Sequence, residues 1–371
     1  MFNTYTSNTV AGSGNQHFFT LEENRVQTGR LFYKITAAGE YNYSVMFSNT
    51  IDSTFADGTQ SYKNLVCKAW RIIDAKVCAC DKNIIPNNFT EDAVAKAING
   101  RSFDFTPLTF GGCAQKEVAP GELFFSDPVR LKFEKGDYLC LEITFSGEMI
   151  PYHEETLLPV FIKGEAGWSY GRLMPFAGFI GCDRPIKERI GFIGDSITQG
   201  CGTPFNAYTH WCAVFADMLG ENYAYWNLGL GYGRADDMAS GGAWAFKAKQ
   251  NDTLFVCYGV NDINQGFSEE QITNNLTKIV DILKKENKKV ILQTVPPFNY
   301  EEDKIAIWEN VNSYIKNELS KKVDFMFDVV PFLQKSDKEP HLAAFGPHPD
   351  EIGCRLWAEK LYEQIIKFNI I

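Results

Sequence analysis

The second half of the chain alternates short apolar runs with amphipathic segments, and this alternation constrains the fold more than any other feature. After Cys182, five apolar runs have the length of strands, and they cover residues 189–194, 222–228, 252–259, 288–295 and 323–330. Between and after them, apolar residues recur at helical spacing, as in 272–283, 305–319 and 352–365. Strands that alternate with helices predict a parallel sheet with right-handed crossovers, hence an α/β domain with helices on both faces.

The first half of the chain has a different pattern, in which strands are separated by turns and few helices are expected. Apolar side chains alternate with polar ones in 41–47 and again in 129–133. A turn at 135–137 then leads into the apolar run 138–145, which predicts a hairpin with one solvated and one buried strand. Repetition of such runs favours an all-β sandwich of the jelly-roll kind.

A polar segment that contains a proline, Asp183-Arg184-Pro185, separates the two patterns. With 371 residues, the chain is long enough for two domains of ordinary size. We therefore predict a β-sandwich domain over residues 1–184 and an α/β domain over residues 185–371.

Charge and composition exclude several classes of partner. The net charge of −10 argues against a nucleic-acid partner, and no segment has the roughly 18 uninterrupted apolar residues of a membrane span. If Met1 is the native start, the absence of a signal pattern predicts a cytoplasmic protein. The ten cysteines are predicted to be reduced and mostly buried, and Cys78 and Cys80 lack a second ligand pair for a metal.

Three polar residues follow predicted strands or precede the last helix, where a parallel sheet gathers its ligand-binding loops. Ser196 lies in Gly194-Asp195-Ser196, directly after the first strand of the α/β half. Asn261 follows the third strand, and His348 precedes Pro349 and the last helix. A serine, an amide and an imidazole can supply a nucleophile, an oxyanion donor and a general base.

This combination resembles the SGNH (GDSL) hydrolase superfamily over residues 189–371, and the resemblance implies a flavodoxin-like α/β fold. It implies that Ser196 is the nucleophile and donates its backbone N–H to the oxyanion. It also implies that Asn261 donates its side-chain amide and that His348 is the base. The first half is similar, more loosely, to the sandwich of two-domain members that are frequently carbohydrate or small-ester esterases.

Two positions depart from the family pattern. Tyr232 stands where the family has its oxyanion glycine, so the third backbone donor is left open between Gly231 and Tyr232. Phe345 stands three residues before His348, at the place of the triad carboxylate. The imidazole then needs another partner on Nδ1, and a backbone carbonyl or a carboxylate from outside the motif could supply it. The carboxylates considered for this are Asp337, Glu339 and Asp350.

The sequence thus predicts a serine esterase that removes small acyl groups, most plausibly O-acetyl, from a carbohydrate or related metabolite, with a Ser-His dyad or atypical triad. No metal or organic cofactor is expected, and self-association is left open. A metal-dependent phosphoesterase using Asp195, Asp262 and His348 is one rival hypothesis. The other is a carbohydrate-binding protein with a degenerate hydrolase half, which Phe345 motivates.

Several nearby polar and aromatic residues are interpreted structurally. Asp195 is expected to organise its loop, and Asp262 to cap the segment that follows it. Arg234 is expected to form a surface ion pair with a neighbouring aspartate. Trp168 and Tyr170 are expected to contribute to packing between the domains rather than to stack on a sugar.

Overall fold

The computed structural model describes residues 1–53, 62–85, 95 and 98–371. The chain divides into two compact units, one formed by residues 1–51 and 64–186 and the other by residues 52–63 and 187–371. Among the described residues, no helix combines the length and the apolar character that a membrane crossing requires.

The first unit consists mostly of antiparallel strands, which confirms the all-β prediction; a jelly-roll order stays a prediction. One sheet has the order β1-β16-β4-β10 with β11 also beside β4, and another has the order β15-β14-β3-β12-β7-β8 with β9 also beside β7. The strands of this unit are β1 (Thr6–Ser7), β2 (His17–Phe19), β3 (Gln27–Lys34), β4 (Gly39–Ser48), β5 (Thr50–Ile51), β6 (Leu65–Val66), β7 (Trp70–Cys80), β8 (Thr106–Pro107), β9 (Lys116–Val118), β10 (Leu123–Phe125), β11 (Val129–Phe133), β12 (Tyr138–Gly147), β13 (Ile150–Tyr152), β14 (Val160–Gly164), β15 (Gly167–Tyr170) and β16 (Phe179–Cys182).

The hairpin predicted from residues 129–145 is wrong, although both of its strands are present. Strand β11 pairs with β4, and Leu131 lies opposite Tyr41. Strand β12 belongs to the other sheet, where Leu141 lies between Leu31 of β3 and Val77 of β7. The turn before Asp137 therefore carries the chain from one sheet to the other instead of folding it back on its neighbour.

The second unit contains a parallel sheet with flanking helices, as predicted. Its strand order, β18-β17-β19-β20-β21, corresponds to 2-1-3-4-5 in chain order, which is the flavodoxin-like arrangement. These strands are β17 (Glu188–Gly194), β18 (Tyr223–Asn227), β19 (Thr253–Cys257), β20 (Lys289–Gln293) and β21 (Phe325–Phe327), and the short strands β22 (Gln334–Ser336) and β23 (Glu339–Ala343) pair with each other. The helices are α1 (Ser196–Gln199), α2 (Trp211–Leu219), α3 (Ala235–Ala239), α4 (Gly242–Ala248), α5 (Val260–Asn264), α6 (Glu269–Lys285), α7 (Glu302–Asn317), α8 (Val330–Leu333) and α9 (Glu351–Lys367).

The long helix α6 shows why these segments fold as they do. Ser268 caps its N-terminus in a capping box with Gln271, which satisfies backbone donors that have no partner within the helix. Its apolar residues recur at helical spacing and are almost fully buried: Ile272, Leu276, Ile279, Val280 and Leu283. Burial of this stripe stabilises the helix more than its intrinsic propensity does.

The second unit also includes a segment that the sequence boundary after residue 184 assigned to the first domain. Residues 52–63 group with the second unit. Asp52 forms a buried ion pair with Lys247 of helix α4, and Ser53 donates a hydrogen bond to Asp237 of α3. These polar contacts join positions almost two hundred residues apart, which a boundary drawn from local composition does not detect.

Candidate active site

Ser196 lies on the turn between strand β17 and the short helix α1. Asp195 is the N-cap residue, and its carboxylate accepts a hydrogen bond from the backbone N–H of Ile197. A side chain at Gly194 would collide with Thr198 and with the carbonyl oxygen of Cys257, so the turn needs glycine there. As the first residue of the helix, Ser196 has a backbone N–H with no acceptor within the helix.

The imidazole of His348 lies against the Ser196 hydroxyl, although 152 positions separate the two residues. The distance from Ser196 Oγ to His348 Nε2 is 2.8 Å, which is a hydrogen bond. With a neutral imidazole that carries its proton on Nδ1, the hydroxyl donates and Nε2 accepts. Gly202 packs against the backbone and Cβ of His348, and a side chain at Gly202 would overlap them. The sequence-predicted nucleophile and base are therefore in proton-transfer contact.

None of the carboxylates considered from the sequence bonds to His348. Asp350 instead caps helix α9 by accepting the backbone N–H groups of Ile352 and Gly353. Asp337 accepts a hydrogen bond from Gln334, and the exposed Glu339 begins strand β23. Within the described parts of the chain, Nδ1 of His348 has no hydrogen-bond partner. Burial lowers the pKa of His348 below its ordinary value of 6.5, so the imidazole is neutral near pH 7 and can accept a proton.

Phe345 has a structural role at the position of the missing carboxylate. Its carbonyl oxygen accepts the backbone N–H of Asp350, at 3.0 Å, and closes the turn that contains His348. Its side chain packs directly on Gly353 in the first turns of helix α9. Phe345 thus joins the histidine turn to the last helix.

The loop after strand β18 lies beside helix α1. Asn227 donates a side-chain hydrogen bond to the carbonyl of Thr198 and accepts the backbone N–H of Gly229. The backbone N–H of Gly231 donates to the side-chain carbonyl of Gln199, at 2.5 Å. Tyr232 has a positive φ of 57°, a conformation that glycine adopts most easily. Of the two candidate donors left open by the sequence, Gly231 thus has its N–H engaged by Gln199.

Asn261 lies in the first turn of helix α5, at the carboxyl end of strand β19. Its side-chain Nδ2 donates to the carbonyl oxygen of Gly233, at 3.0 Å. An amide nitrogen carries two N–H groups, so one can fix the side chain while the other serves an oxyanion. Asp262 does not cap its own segment as expected, because its carboxylate accepts the N–H of Ala235 at the start of α3.

Two fully buried carboxylates lie around the nucleophile turn. Burial raises the pKa of Asp195 to about 7 and that of Asp262 to about 7. The negative charge of Asp262 adds to the shift of Asp195, and that of Asp237 adds to the shift of Asp262. Both accept hydrogen bonds from backbone amides. In the described residues, no three His, Cys, Asp or Glu side chains are grouped in a way that could hold a metal ion.

Arg234, Trp168 and the cysteines were also interpreted from the sequence, and the structure gives the surroundings of each. Arg234 is buried, not at the surface as expected, and pairs with Asp237 at 2.6 Å. Trp168 lies on strand β15 of the first unit, where the guanidinium of Arg30 is 4.2 Å from its ring centroid. All ten cysteines lie among the described residues and none forms a disulfide. Eight of them are buried: Cys67, Cys78, Cys80, Cys140, Cys182, Cys212, Cys257 and Cys354.

Sequence reasoning missed two residues that contact this site. Gln199 binds the loop after β18 through Gly231, as described above. Phe298 packs its ring against His348 with centroids 5.3 Å apart. The one available signal for Phe298 was its place in the loop after the fourth strand of the parallel sheet, an edge where ligand-binding residues gather.

Part of the second unit matches a known protein family. Residues 192–356 match the model of the GDSL-like lipase/acylhydrolase family. A solved member of the lipolytic G-D-S-L family from Veillonella parvula is similar at 22% identity, 48% coverage of this chain, 98% coverage of that chain and a TM-score of 0.40. An aryl esterase from M. smegmatis is similar at 16% identity, with coverage of 49% of this chain and 99% of that chain and a TM-score of 0.39.

A carbohydrate acetylesterase from Sinorhizobium meliloti is similar at 15% identity, with coverage of 49% of this chain and 100% of that chain and a TM-score of 0.38. No curated protein matches the sequence. The family match spans Ser196, Asn261 and His348. The region that carries these residues is therefore a GDSL-like lipase/acylhydrolase domain, and the protein is a hydrolase that acts on ester bonds.

Proposed function

We propose that this protein is a serine esterase that removes small acyl groups, chiefly O-acetyl, from carbohydrates or related metabolites. The observation that carries the proposal is the 2.8 Å contact between Ser196 Oγ and His348 Nε2. A serine hydroxyl is a weak nucleophile by itself, and a neutral imidazole within hydrogen-bond distance activates it.

In the acylation step, His348 Nε2 takes the hydroxyl proton while Ser196 Oγ attacks the ester carbonyl carbon. The tetrahedral intermediate then collapses, the bond from carbon to the alcohol oxygen breaks, and the imidazolium returns the proton to the departing alcohol. The products of this half-reaction are a free hydroxyl on the acceptor and an acyl group on Ser196. His348 is neutral again at its end.

In the deacylation step, water replaces the alcohol. His348 Nε2 takes a proton from the water molecule, whose oxygen attacks the acyl carbonyl. Collapse of the second intermediate returns the proton to Ser196 Oγ and releases the carboxylic acid. No redox or metal chemistry enters either half of this cycle.

The oxyanion of both intermediates requires donors placed in advance. We assign this role to the backbone N–H of Ser196 and one N–H of the Asn261 amide. We place the third donor in the loop after strand β18, at Gly231 or Tyr232; the N–H of Gly231 also donates to Gln199. Any residue except proline can supply a backbone donor, so tyrosine in place of glycine is chemically acceptable.

The preference for short acyl groups is supported by Phe298. Its ring contacts that of His348 and so reduces the room beside the base. The carbohydrate part of the proposal rests on the looser resemblance of the first half of the sequence to the sandwich of two-domain family members, which are frequently carbohydrate or small-ester esterases.

The test compares wild type with Ser196→Ala and His348→Ala on p-nitrophenyl acetate, butyrate and octanoate and on acetylated sugars. We expect the highest kcat/KM on acetyl esters and a loss of several thousandfold in each variant, because residues that act as a unit fail together. Ser313→Ala, which changes an exposed serine of helix α7, is the matched control and retains wild-type activity.

Labelling with a serine-reactive phosphonate identifies the nucleophile directly. Intact mass and peptide mapping are expected to show one adduct on Ser196, absent in Ser196→Ala. Labelling that persists in this variant would contradict the assignment. Turnover of a phosphate ester that survives Ser196→Ala and is lost with a chelator supports the phosphoesterase instead, and tight sugar binding without ester turnover supports a binding protein.

A further inference from the structure

His348 has no carboxylate on Nδ1, so another feature of the fold must fix its ring. In a Ser-His-Asp site the carboxylate holds the imidazole in the orientation in which Nε2 faces the nucleophile. Here Nε2 already faces Ser196 Oγ at 2.8 Å. An imidazole free to rotate about its side-chain bonds would keep this orientation only part of the time, unless neighbouring groups pack against it.

The ring of Phe298 contacts the imidazole edge to face. The two ring centroids are 5.3 Å apart and the ring planes make an angle of 75°. This geometry is favourable between aromatic rings and adds to the energy of apolar burial. Gly202 leaves no space on the backbone side of His348. The imidazole is thus held by a ring, by a close backbone neighbour and by its bond to the serine.

The backbone around Phe298 is joined to the segment that leads to His348. The N–H groups of Phe298 and Asn299 both donate to the carbonyl oxygen of His341, at 3.3 and 3.0 Å. The side-chain oxygen of Asn299 accepts the N–H of Ala343 at 2.8 Å. Because His341 and Ala343 belong to strand β23, the phenyl ring and the imidazole ring are presented by two bonded segments.

A row of aromatic side chains supports Phe298 from the other side. Its ring centroid is 6.1 Å from that of Tyr300, and Tyr300 is 5.9 Å from Trp308 of helix α7. The indole N–H of Trp308 donates to the carbonyl oxygen of Val295, at 3.0 Å, at the start of the same loop. Tyr300 and Trp308 are buried. The row therefore connects the base to the core of the second unit.

We propose that Phe298 is a positioning residue that holds the imidazole of His348 in the orientation that accepts the Ser196 proton, the task that a carboxylate performs in a triad. Phe298 acts by contact and by excluding water, and it exchanges no proton. Among the described charged groups, none shifts the pKa of His348, for which burial is the cause. The kinetic part of the test rests on the proposed esterase function, and the spectroscopic part does not.

The kinetic test uses Phe298→Ala, Phe298→Leu and Phe298→Tyr on p-nitrophenyl acetate from pH 4.5 to 8.5. We expect Phe298→Ala to lower kcat about tenfold with KM within twofold, because the ring acts on the base and not on substrate affinity. Its acid limb of kcat/KM should move to higher pH, toward the ordinary histidine pKa of 6.5. Phe298→Leu, which keeps apolar bulk without a ring, should give a kcat and an acid limb between those of Phe298→Ala and wild type. Phe298→Tyr, which keeps the ring, should behave like wild type.

The matched control is Phe332→Ala. Phe332 is also half-buried in the second unit and stacks on Phe327 with centroids 5.7 Å apart, without contacting His348. It should lose stability and keep the wild-type kcat and pH profile. If Phe298→Ala has the wild-type kcat and pH profile, the positioning role is wrong. It is also wrong if Phe332→Ala shows the same pH shift as Phe298→Ala. Should Phe298→Ala fold poorly, Phe298→Leu and Phe298→Tyr replace it in the test. A lower kcat and a shifted acid limb in Phe298→Leu but not in Phe298→Tyr support the positioning role, and equal values in the two variants contradict it.

The spectroscopic test needs no turnover. Isotope labelling of the five histidines gives ring signals whose titration is followed by NMR, and the signal lost in His348→Ala identifies His348. Phe298→Ala should raise its titration midpoint and broaden or shift its ring signals, whereas Phe332→Ala should not. An unchanged midpoint and ring shift overturns the inference. Changed signals in a protein that hydrolyses no ester uphold the positioning role and reject the proposed function alone.

Discussion

At the scale of single residues, Asn261 is the side chain whose role can be measured most directly. Its Nδ2 donates to the carbonyl of Gly233, which fixes the amide beside the nucleophile turn. We expect Asn261→Ala to lower kcat by about a hundredfold or more, the usual effect of removing one oxyanion donor. KM should change much less, because the lost bond is made mainly in the transition state.

The measurement is steady-state kinetics on p-nitrophenyl acetate. Asn251→Ala removes a buried asparagine that bonds only to helix carbonyls, so it controls for loss of packing. A variant at Asn261 with wild-type kcat would show that the oxyanion is held by backbone donors alone.

The site residues that could be predicted from the sequence are those that stand next to a recognisable strand or helix. Ser196, Asn261 and His348 each follow a recognisable strand or precede a recognisable helix, so their meeting at one sheet edge follows from the α/β topology. Gln199 and Phe298 carry no such signal. Gln199 meets Gly231 only because the loop after β18 returns to helix α1, 32 positions away in the chain.

At the scale of elements, the start of helix α9 depends on Gly353. A Cβ at this position would lie 2.6 Å from Cβ of Phe345, well inside contact distance. Alanine normally stabilises a helix interior relative to glycine by about 1 kcal/mol. We expect the opposite here: Gly353→Ala should lower Tm and reduce kcat, because the displaced turn contains His348.

Thermal unfolding and p-nitrophenyl acetate kinetics check this prediction together. The double variant Gly353→Ala with Phe345→Gly removes the colliding Cβ of residue 345 and should regain part of both losses. A single variant that is more stable than wild type would mean that the turn has room to move without effect on the site.

The strand pairing of the first unit shows where sequence reasoning ends at this scale. Alternation of polar and apolar residues correctly indicated strands at β11 and β12, since it reports one buried face. It contains no information on which strand lies alongside. A short turn between two strands favours a hairpin, yet here the turn connects two different sheets.

At the scale of the whole molecule, the buried carboxylates near Ser196 couple stability to pH. Burial raises the pKa of Asp195 and of Asp262 to about 7, from an ordinary value of 3.8. Between these values the folded chain binds more protons than the unfolded chain, so the contribution of this pair to stability falls as pH rises from about 4 to 7. Asp262→Asn keeps an acceptor for the N–H of Ala235 and removes one of the two charges.

We expect Asp262→Asn to reduce the loss of Tm between pH 5 and pH 8, both by removing its own titration and by relieving Asp195 of a negative neighbour. Differential scanning calorimetry across this range measures the slope. Asp217→Asn, at a side chain in helix α2 that is not buried, should leave the slope unchanged. Equal slopes in Asp262→Asn and wild type would contradict the expected titration.

The ion pair between Lys247 and Asp52 is nearly inaccessible to solvent, with side-chain exposures of 1% and 0%. Removing one partner leaves a buried charge uncompensated, which typically costs about 3–5 kcal/mol. Lys247→Met should therefore lower the free energy of unfolding by about this amount in urea, and the double variant with Asp52→Asn should recover much of it. A cost near zero in the single variant would show that water reaches the carboxylate.

Because residues 52–63 precede the rest of their unit by more than a hundred positions, no single uninterrupted stretch that begins at residue 187 contains the whole unit. A gene fragment that begins at residue 187 encodes Lys247 but not its counter-ion. Shuffling this catalytic module into another protein would require both pieces, or a compensating replacement at Lys247. During translation, the ribosome therefore synthesises Asp52 long before its partner Lys247 and the nucleophile Ser196.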